Sequence, residues 1–326
     1  MKNLLNNPNL LRKKFSEGSS NYHYYHQWQA QNPRAWVHIM HGMAEHSARY
    51  RDLAMYLNSQ GISVTADDHR GHGITGSEAD SLYHLADKDG WNKLLNDQWQ
   101  LINHIADSQT VPLIILGHSM GSYMALGFCQ TYGNSLKEKL SIPFNGLVLS
   151  GSGYTAPTLS RIARGLAFIE RFRLGKNKPS PVLEYLSTGH FNRQFEPTRT
   201  PKDWISSDPA VVDTYIEDPW CGGAISTQSW FDFLGGLVDI FSSNWQQTLP
   251  KNLPIYLFSG DLDPVGNSGV AVKTLRDKLL QANIGKVDMR LYPSGRHEML
   301  NEVNRDEVYG DLLDWLNQIH ATDNLP

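Results

Sequence analysis

At 326 residues, 40% of them apolar and 19% charged, the chain has material for one large α/β unit or for two domains. Its formal net charge of −4 excludes a general nucleic-acid binder, which needs a positive face to displace counterions from phosphates. A polyanionic substrate is therefore not expected.

The first fifteen residues hold two Leu pairs, interrupted by Asn3, Asn6, Asn7 and Pro8. Arg12, Lys13 and Lys14 follow these apolar residues instead of preceding them, the reverse of a secretion signal. This arm reads as a loose terminus or a flap over the first strands, with at most a transient membrane-surface contact. No apolar run approaches the roughly 18 residues that a bilayer span requires. Cys129 and Cys221, the only cysteines, lie far apart without metal-ligand spacing, which fits a reducing compartment and a cytoplasmic location.

From Ala35 onward, short Val- and Ile-rich runs alternate with helix-like segments. Ala35 to Met40 reads as a buried strand, and Ser47 to Asn58 as a helix closed by Gly61. A strand from Ile62 to Ala66 runs into Asp67-Asp68-His69-Arg70-Gly71-His72-Gly73, and Trp91 to Ile105 has the spacing of a helix. Leu113 to Leu116 is the next strand, Ser119 to Gln130 a helix, and Gly146 to Leu149 a further strand. The rhythm resumes with strands at Ile255 to Phe258 and Val287 to Leu291, and helices around Val270 to Leu280 and from Glu307 to Ile319. Continuous apolar strands separated by helices predict an α/β fold whose mostly parallel central sheet carries helices on both faces.

The stretch from Ser152 to Pro250 has no clear strand, seven interrupting prolines before Pro250 and a high density of aromatics, among them Trp204, Trp220 and Trp230. It reads as a helical cap inserted between two halves of one sheet. The expected organisation is thus a first core half over residues 1–151, the cap over 152–250 and a second core half over 251–326.

The chemistry is concentrated at strand ends. Gly117-His118-Ser119-Met120-Gly121 follows an apolar strand directly and opens a helix, the context that gives G-x-S-x-G its meaning. The tight turn lifts the serine oxygen clear of the backbone, while the new helix aims N–H groups at developing negative charge. A serine hydroxyl needs a base, and the base needs a carboxylate to fix its tautomer, in the chain order Ser, acid, His. The acid follows the strand at Ile255 to Phe258, where Asp261 and Asp263 compete. Asp263 is preferred because Pro264 and Val265 follow it as the next element begins, leaving Asp261 to cap the turn. His297, between a turn and a helix after the following strand, is the base. The oxyanion donors are expected to be the N–H groups of Met120 and of Met43, in the loop His41-Gly42-Met43-Ala44-Glu45-His46. His41, His46, His69, His72 and His118 lack paired zinc spacing and are expected to hydrogen-bond loops at the pocket mouth, so no metal is expected. No glycine-rich phosphate or dinucleotide motif follows a strand, so no organic cofactor is implied.

Four motifs in this order, namely the His41 to His46 loop with Arg49-Tyr50, Asp68 to Gly73, Gly117 to Gly121, and His297-Glu298 with Asn301-Glu302, resemble those of the α/β-hydrolases. Within these they resemble the monoacylglycerol lipase and lysophospholipase branch, of the serine aminopeptidase S33 type. The resemblance covers most of the chain from Ala35. It implies the α/β-hydrolase fold, a triad of Ser119, Asp263 and His297, and a helical cap over an acyl site. Ser122 stands where the family often has a further glycine. The expected substrate is a small ester with an apolar acyl chain, monoacylglycerol or lysophospholipid, cleaved through an acyl-enzyme on Ser119. A rival in the same superfamily is an aminopeptidase, which needs an acidic cluster such as Asp208, Asp213, Glu217 and Asp218 to bind an amine. A rival of another class is a non-catalytic receptor on this scaffold; such proteins often lose a triad member, and here none is missing.

Overall fold

The computed structural model describes residues 7–15, 21–140 and 142–322. Eight strands form one sheet: β1 (Leu10–Lys14), β2 (Tyr22–Trp28), β3 (Ala35–Met40), β4 (Ile62–Asp67), β5 (Leu113–His118), β6 (Phe144–Ser150), β7 (Ile255–Gly260) and β8 (Val287–Tyr292). Their order across the sheet is β1-β2-β4-β3-β5-β6-β7-β8. β1 pairs antiparallel with β2 and β2 with β4; every pairing from β4 to β8 is parallel. Every residue of β3, β4, β5 and β7 is buried, as parallel strands covered on both faces require; their polar members, such as His38, Ser63, Thr65 and Asp67, are buried because they are hydrogen-bonded.

The two covers are distinct. Val37 and Ile39 pack with Leu53 and Leu57 of α1 (Arg51–Ser59) and with Trp315 and Leu316 of α10 (Arg305–Thr322). Trp36 and Met40, pointing the other way along the same strand, join α3 (Gly90–Ala106) and α4 (Met120–Lys139) through Trp91, Leu101, Met124 and Phe128. A short α2 (Gly73–Glu78) and α9 (Val270–Gln281) complete the helices of the body.

Between β6 and β7 lie α5 (Pro157–Leu174), α6 (Pro181–Glu184), α7 (Pro209–Glu217) and α8 (Thr227–Ile240), with short single-turn helices among them. The prolines of this stretch are helix starters. Pro157, Pro181 and Pro209 each occupy the first helical turn, where a missing N–H costs nothing. Ser180, Asp208 and Ser226 cap α6, α7 and α8 by accepting the N–H of Leu183, Ala210 and Ser229. α5 lies along α8, and α8 sends Phe233, Leu237 and Ile240 into the main core.

The N-terminal arm departs from the expectation of a loose terminus. Leu10–Lys14 is an edge strand paired with Tyr22–Trp28, which itself pairs with β4; residues 1–6 of the arm lie outside the described part. Tyr22–Trp28 has no aliphatic run, yet His23 and His26 are buried in it because their rings are hydrogen-bonded. His23 Nε2–H donates to Asp67 at 2.7 Å, and His26 Nδ1 lies 2.8 Å from Ser47 Oγ. Among the described residues no helix is long and apolar enough to cross a membrane.

Candidate active site

The turn from β5 to α4 places Ser119 at φ 52°, ψ −121°, a left-handed conformation that costs a non-glycine residue about 1–3 kcal/mol. Hydrogen bonds on both sides hold it there. Ser119 N–H donates to Ser150 C=O at 2.9 Å, and its own C=O accepts from Ser122 N–H at 2.9 Å and Ser122 Oγ–H at 2.6 Å. The departure at Ser122 therefore adds a buried hydroxyl that helps close the turn. Gly117 and Gly121 are required by close approach: a methyl group at Gly121 would collide with the Met40 carbonyl oxygen, and one at Gly117 with the Gly121 carbonyl.

His297 Nε2 lies 2.9 Å from Ser119 Oγ, and its Nδ1–H donates to Asp263 Oδ1 at 3.0 Å. Asp263 is fully buried and also accepts from Val265 N–H at 2.9 Å and Ser259 Oγ–H at 2.8 Å. Asp261 accepts instead from Ser294 N–H at 2.7 Å, closing the turn after β8. Three residues remote in sequence thus meet at the C-terminal edge of the sheet, at the ends of β5, β7 and β8. Burial works against charge on His297, but the Asp263 carboxylate and its hydrogen bond, then Glu298 and Glu45, raise the imidazole above its ordinary value. Burial likewise opposes the Asp263 charge, and His297, Ser259 and the Val265 N–H hold that carboxyl below its ordinary range. His118, its ring 4.8 Å from His297, is pushed down to about 4 by burial and by His297, and so packs there neutral.

The stretch between β6 and β7 holds the histidine loop. His297 N–H and Glu298 N–H donate to the carbonyls of Trp204 (3.4 Å) and Ile205 (2.8 Å), and the Trp204 ring stands 5.0 Å from the imidazole. Sequence reasoning gave no role to the buried cluster beside it. Glu45 accepts from Gly42 N–H (2.5 Å), Tyr50 O–H (2.9 Å) and Arg49 Nη1 (2.8 Å), while Arg49 clamps Glu298 with two bonds of 2.8 and 2.6 Å. This chain ties the Gly42–Glu45 loop to the histidine loop. The i,i+4 spacing of Glu45 and Arg49 is a readable signal; the third member, far along the chain, has none.

Met43 and Met120 both line the cavity beside Ser119. Met120 opens α4, so its N–H is one of the four without an intrahelical acceptor. Of the histidines expected at the pocket mouth only His118 lines the cavity; His41, His46, His69 and His72 lie behind it and bind loops. His41 Nδ1–H donates to Gly42 C=O at 2.7 Å, and its Nε2 accepts His69 N–H at 3.1 Å. His69 stacks on His41 at 3.8 Å and reaches Asp67 at 2.7 Å, and burial followed by His69 pushes His72 down to about 4. His46 Nε2–H donates to Asp218 at 2.8 Å. Among the described residues, His46, Asp218 and Cys221 bring donor atoms within 4.8 Å of one another. There the histidine and carboxylate already bond each other, and burial pushes the Cys221 thiol up, away from the thiolate that binds metals. The acidic residues of the aminopeptidase reading do not gather at the serine. Asp208 caps α7, Asp213 pairs with Arg199, Asp218 binds His46, Glu217 is exposed, and none of the four lines the cavity.

The cavity holds about 270 Å³ and has an apolar wall of Met43, Tyr123, Trp230, Phe233, Leu237 and Val265. A family model described as "Serine aminopeptidase, S33" matches residues 31–304, most of the chain. The chain belongs to this family. Within it, the S33-type hydrolase is similar to monoglyceride lipase of Homo sapiens, with 31% identity over 304 residues, covering 89% of this chain and 84% of the relative. It is also similar to monoacylglycerol lipase of Mycolicibacterium smegmatis, with 28% identity, 87% of this chain and 89% of the relative covered. Among solved structures, a highly thermostable carboxyl esterase from Bacillus coagulans in complex with glycerol superposes with a TM-score of 0.85. That likeness carries 27% identity and covers 95% of this chain and 99% of the esterase. The fold is the α/β-hydrolase fold, and the branch is the one that contains the monoglyceride lipases.

Proposed function

We propose that this S33-type hydrolase cleaves carboxylic esters of lipid type, monoacylglycerol or lysophospholipid, through an acyl-enzyme on Ser119. The observation that carries the reading is the 2.9 Å approach of His297 Nε2 to Ser119 Oγ at the floor of a mainly apolar cavity. In the first step His297 takes the serine proton as Oγ attacks the ester carbonyl, Asp263 stabilises the imidazolium, and the Met43 and Met120 N–H groups receive the oxyanion. The imidazolium then returns the proton to the leaving alcohol. In the second step the same imidazole activates water, and the acid leaves. No cofactor or metal enters either step.

The lipid part of the proposal rests on two supports. An alkyl chain gains about 0.8 kcal/mol for each methylene buried, and the cavity offers it aromatic and aliphatic walls. In addition, α5 carries Leu159, Ile162, Ile169 and Phe172 exposed to solvent, interleaved with Arg161, Arg171 and Arg173. Such a face suits transient contact with an anionic lipid surface. The relatives named as monoglyceride lipases point the same way. The test is turnover across p-nitrophenyl esters of rising acyl length, with Ser119→Ala as control. Rates should climb to a medium or long chain and fall roughly 10⁴-fold or more in the variant. A short-chain optimum reduces the reading to a general carboxylesterase; full activity in Ser119→Ala, or no labelling of Ser119 by a fluorophosphonate, overturns it.

A further inference from the structure

The cavity beside Ser119 is not apolar throughout: Glu184, Ser187, Thr188 and Lys202 also line it. Glu184, Thr188 and Lys202 in turn border a second cleft of about 480 Å³, whose remaining walls include Asn192, Arg193 and Glu196. These three residues therefore mark the boundary where the catalytic cavity meets a polar recess. Both charged members are partly withdrawn from water. Burial lowers the Lys202 ammonium from its ordinary value against the pull of Glu184, and burial raises the Glu184 carboxyl against the Trp230 N–H and Lys202. Glu184 accepts from Trp230 Nε1–H at 3.3 Å. Among the described residues no carboxylate, Glu184 included, comes within the 4.0 Å of an ion pair with the Lys202 ammonium. A half-buried cation whose nearest carboxylate stays beyond contact distance is only partly compensated, and an anion bound in contact lowers the remaining cost.

We propose that Lys202 and Glu184 form a headgroup subsite, Lys202 taking a phosphate on the alcohol side of the ester and Glu184 the ammonium beyond it. The substrate class is then a lysophospholipid with a zwitterionic head, an assignment that rests on the ester-hydrolase reading above. Two cations (Lys202, Arg193) and two carboxylates (Glu184, Glu196) around the recess match alternating charge; a neutral glycerol leaves the Lys202 ammonium without a contact anion.

The test compares lauroylglycerol with lauroyl-glycerophosphoethanolamine, equal in acyl chain and dispersed in one detergent, on the full-length protein. Wild type should cleave the phosphate-bearing ester at least as efficiently. Lys202→Gln should lower the ratio of kcat/KM for phosphate-bearing over neutral ester by about tenfold or more, the loss of one charge-assisted hydrogen bond, chiefly through KM. Lys202→Arg should restore most of that ratio, and Glu184→Gln should lower it in the same sense. Melting curves and fluorophosphonate labelling of Ser119 establish that each variant is folded and armed. A wild type that cleaves p-nitrophenyl laurate and lauroylglycerol but not the phosphate-bearing ester rejects the subsite alone, as does a Lys202→Gln ratio that does not move. A wild type inert toward all three esters removes the hydrolase reading first and the subsite with it.

Discussion

Arg49→Met is the perturbation that probes the junction between the two loops. The Arg49 side chain is 12% exposed and stands between two carboxylates that are 4% and 6% exposed, bonding Glu45 at 2.8 Å and Glu298 at 2.6 and 2.8 Å. Methionine keeps the stem and removes the charge, leaving two buried carboxylates without their cation, a loss of about 3–5 kcal/mol. At a few degrees per kcal/mol for a chain of this size, the melting temperature should fall by about 5–15 °C. The sign with pH is definite. In the native protein burial raises the Glu298 carboxyl, and Arg49 more than reverses this, so its pKa lies below the ordinary 4.5 and its ionised form stabilises the fold above that value. Without Arg49 the burial penalty is opposed only by the smaller pulls of His118 and the Asn301 hydrogen bond, and the carboxylate costs stability once pH rises above its unfolded value. The gap between wild type and variant should therefore be widest near pH 7 and shrink toward pH 4, as followed by thermal denaturation. A gap of constant size across that range would mean that lost packing, not stranded charge, is responsible.

Three further outcomes are expected. Asp263→Asn should cut turnover about 10⁴-fold by releasing the imidazole tautomer, whereas Asp261→Asn should cost only about 1 kcal/mol of turn stability; the reverse pattern of ester hydrolysis reassigns the acid. Because Asp263, Glu298 and Glu45 raise His297 above its ordinary 6.5 against the effect of burial, kcat/KM should decline as pH falls through a value above 6.5. An acid limb below 6.5 in a pH–rate profile contradicts this account. Gly121→Ala should abolish activity or soluble expression, since its methyl meets the Met40 carbonyl; normal yield and turnover would refute the close packing of α4 on β3.

The parallel half of the sheet was readable because full burial leaves apolar runs in β5 and β7, although β3 and β4 also bury His38, Ser63, Thr65 and Asp67 through hydrogen bonds. The nucleophile turn was readable because glycine is demanded at two positions by backbone contact. The antiparallel edge was not. Tyr22–Trp28 is buried with histidines whose polarity is cancelled by Asp67 and Ser47, so the sequence carries no apolar run to announce a strand. Prolines between β6 and β7 read as interruptions, although three of them begin helices whose caps sit one residue earlier. At the site, the strand-end positions of Ser119, Asp263 and His297 follow from pattern and chain order. The partnership of Arg49 with Glu298 does not, since it spans 249 positions and depends on how two loops come to rest.

That last contact bears on how the cavity can open. The histidine loop is held from below by Asp263 and from the side by Arg49, but its backbone amides are held by Trp204 and Ile205, which belong to the stretch between β6 and β7. Lifting that whole stretch as one body would strip the acceptors from His297 and Glu298 and loosen the imidazole from the serine. Among the described residues α5 makes no hydrogen bond to the triad: its solvent face mixes apolar side chains with arginines, and its partner is α8. A displacement confined to the α5 to α6 region would leave those two acceptors in place. Lys202, two residues from Trp204, lies on the part tied to the histidine loop, whereas Ser187 and Thr188 on the facing wall follow α6.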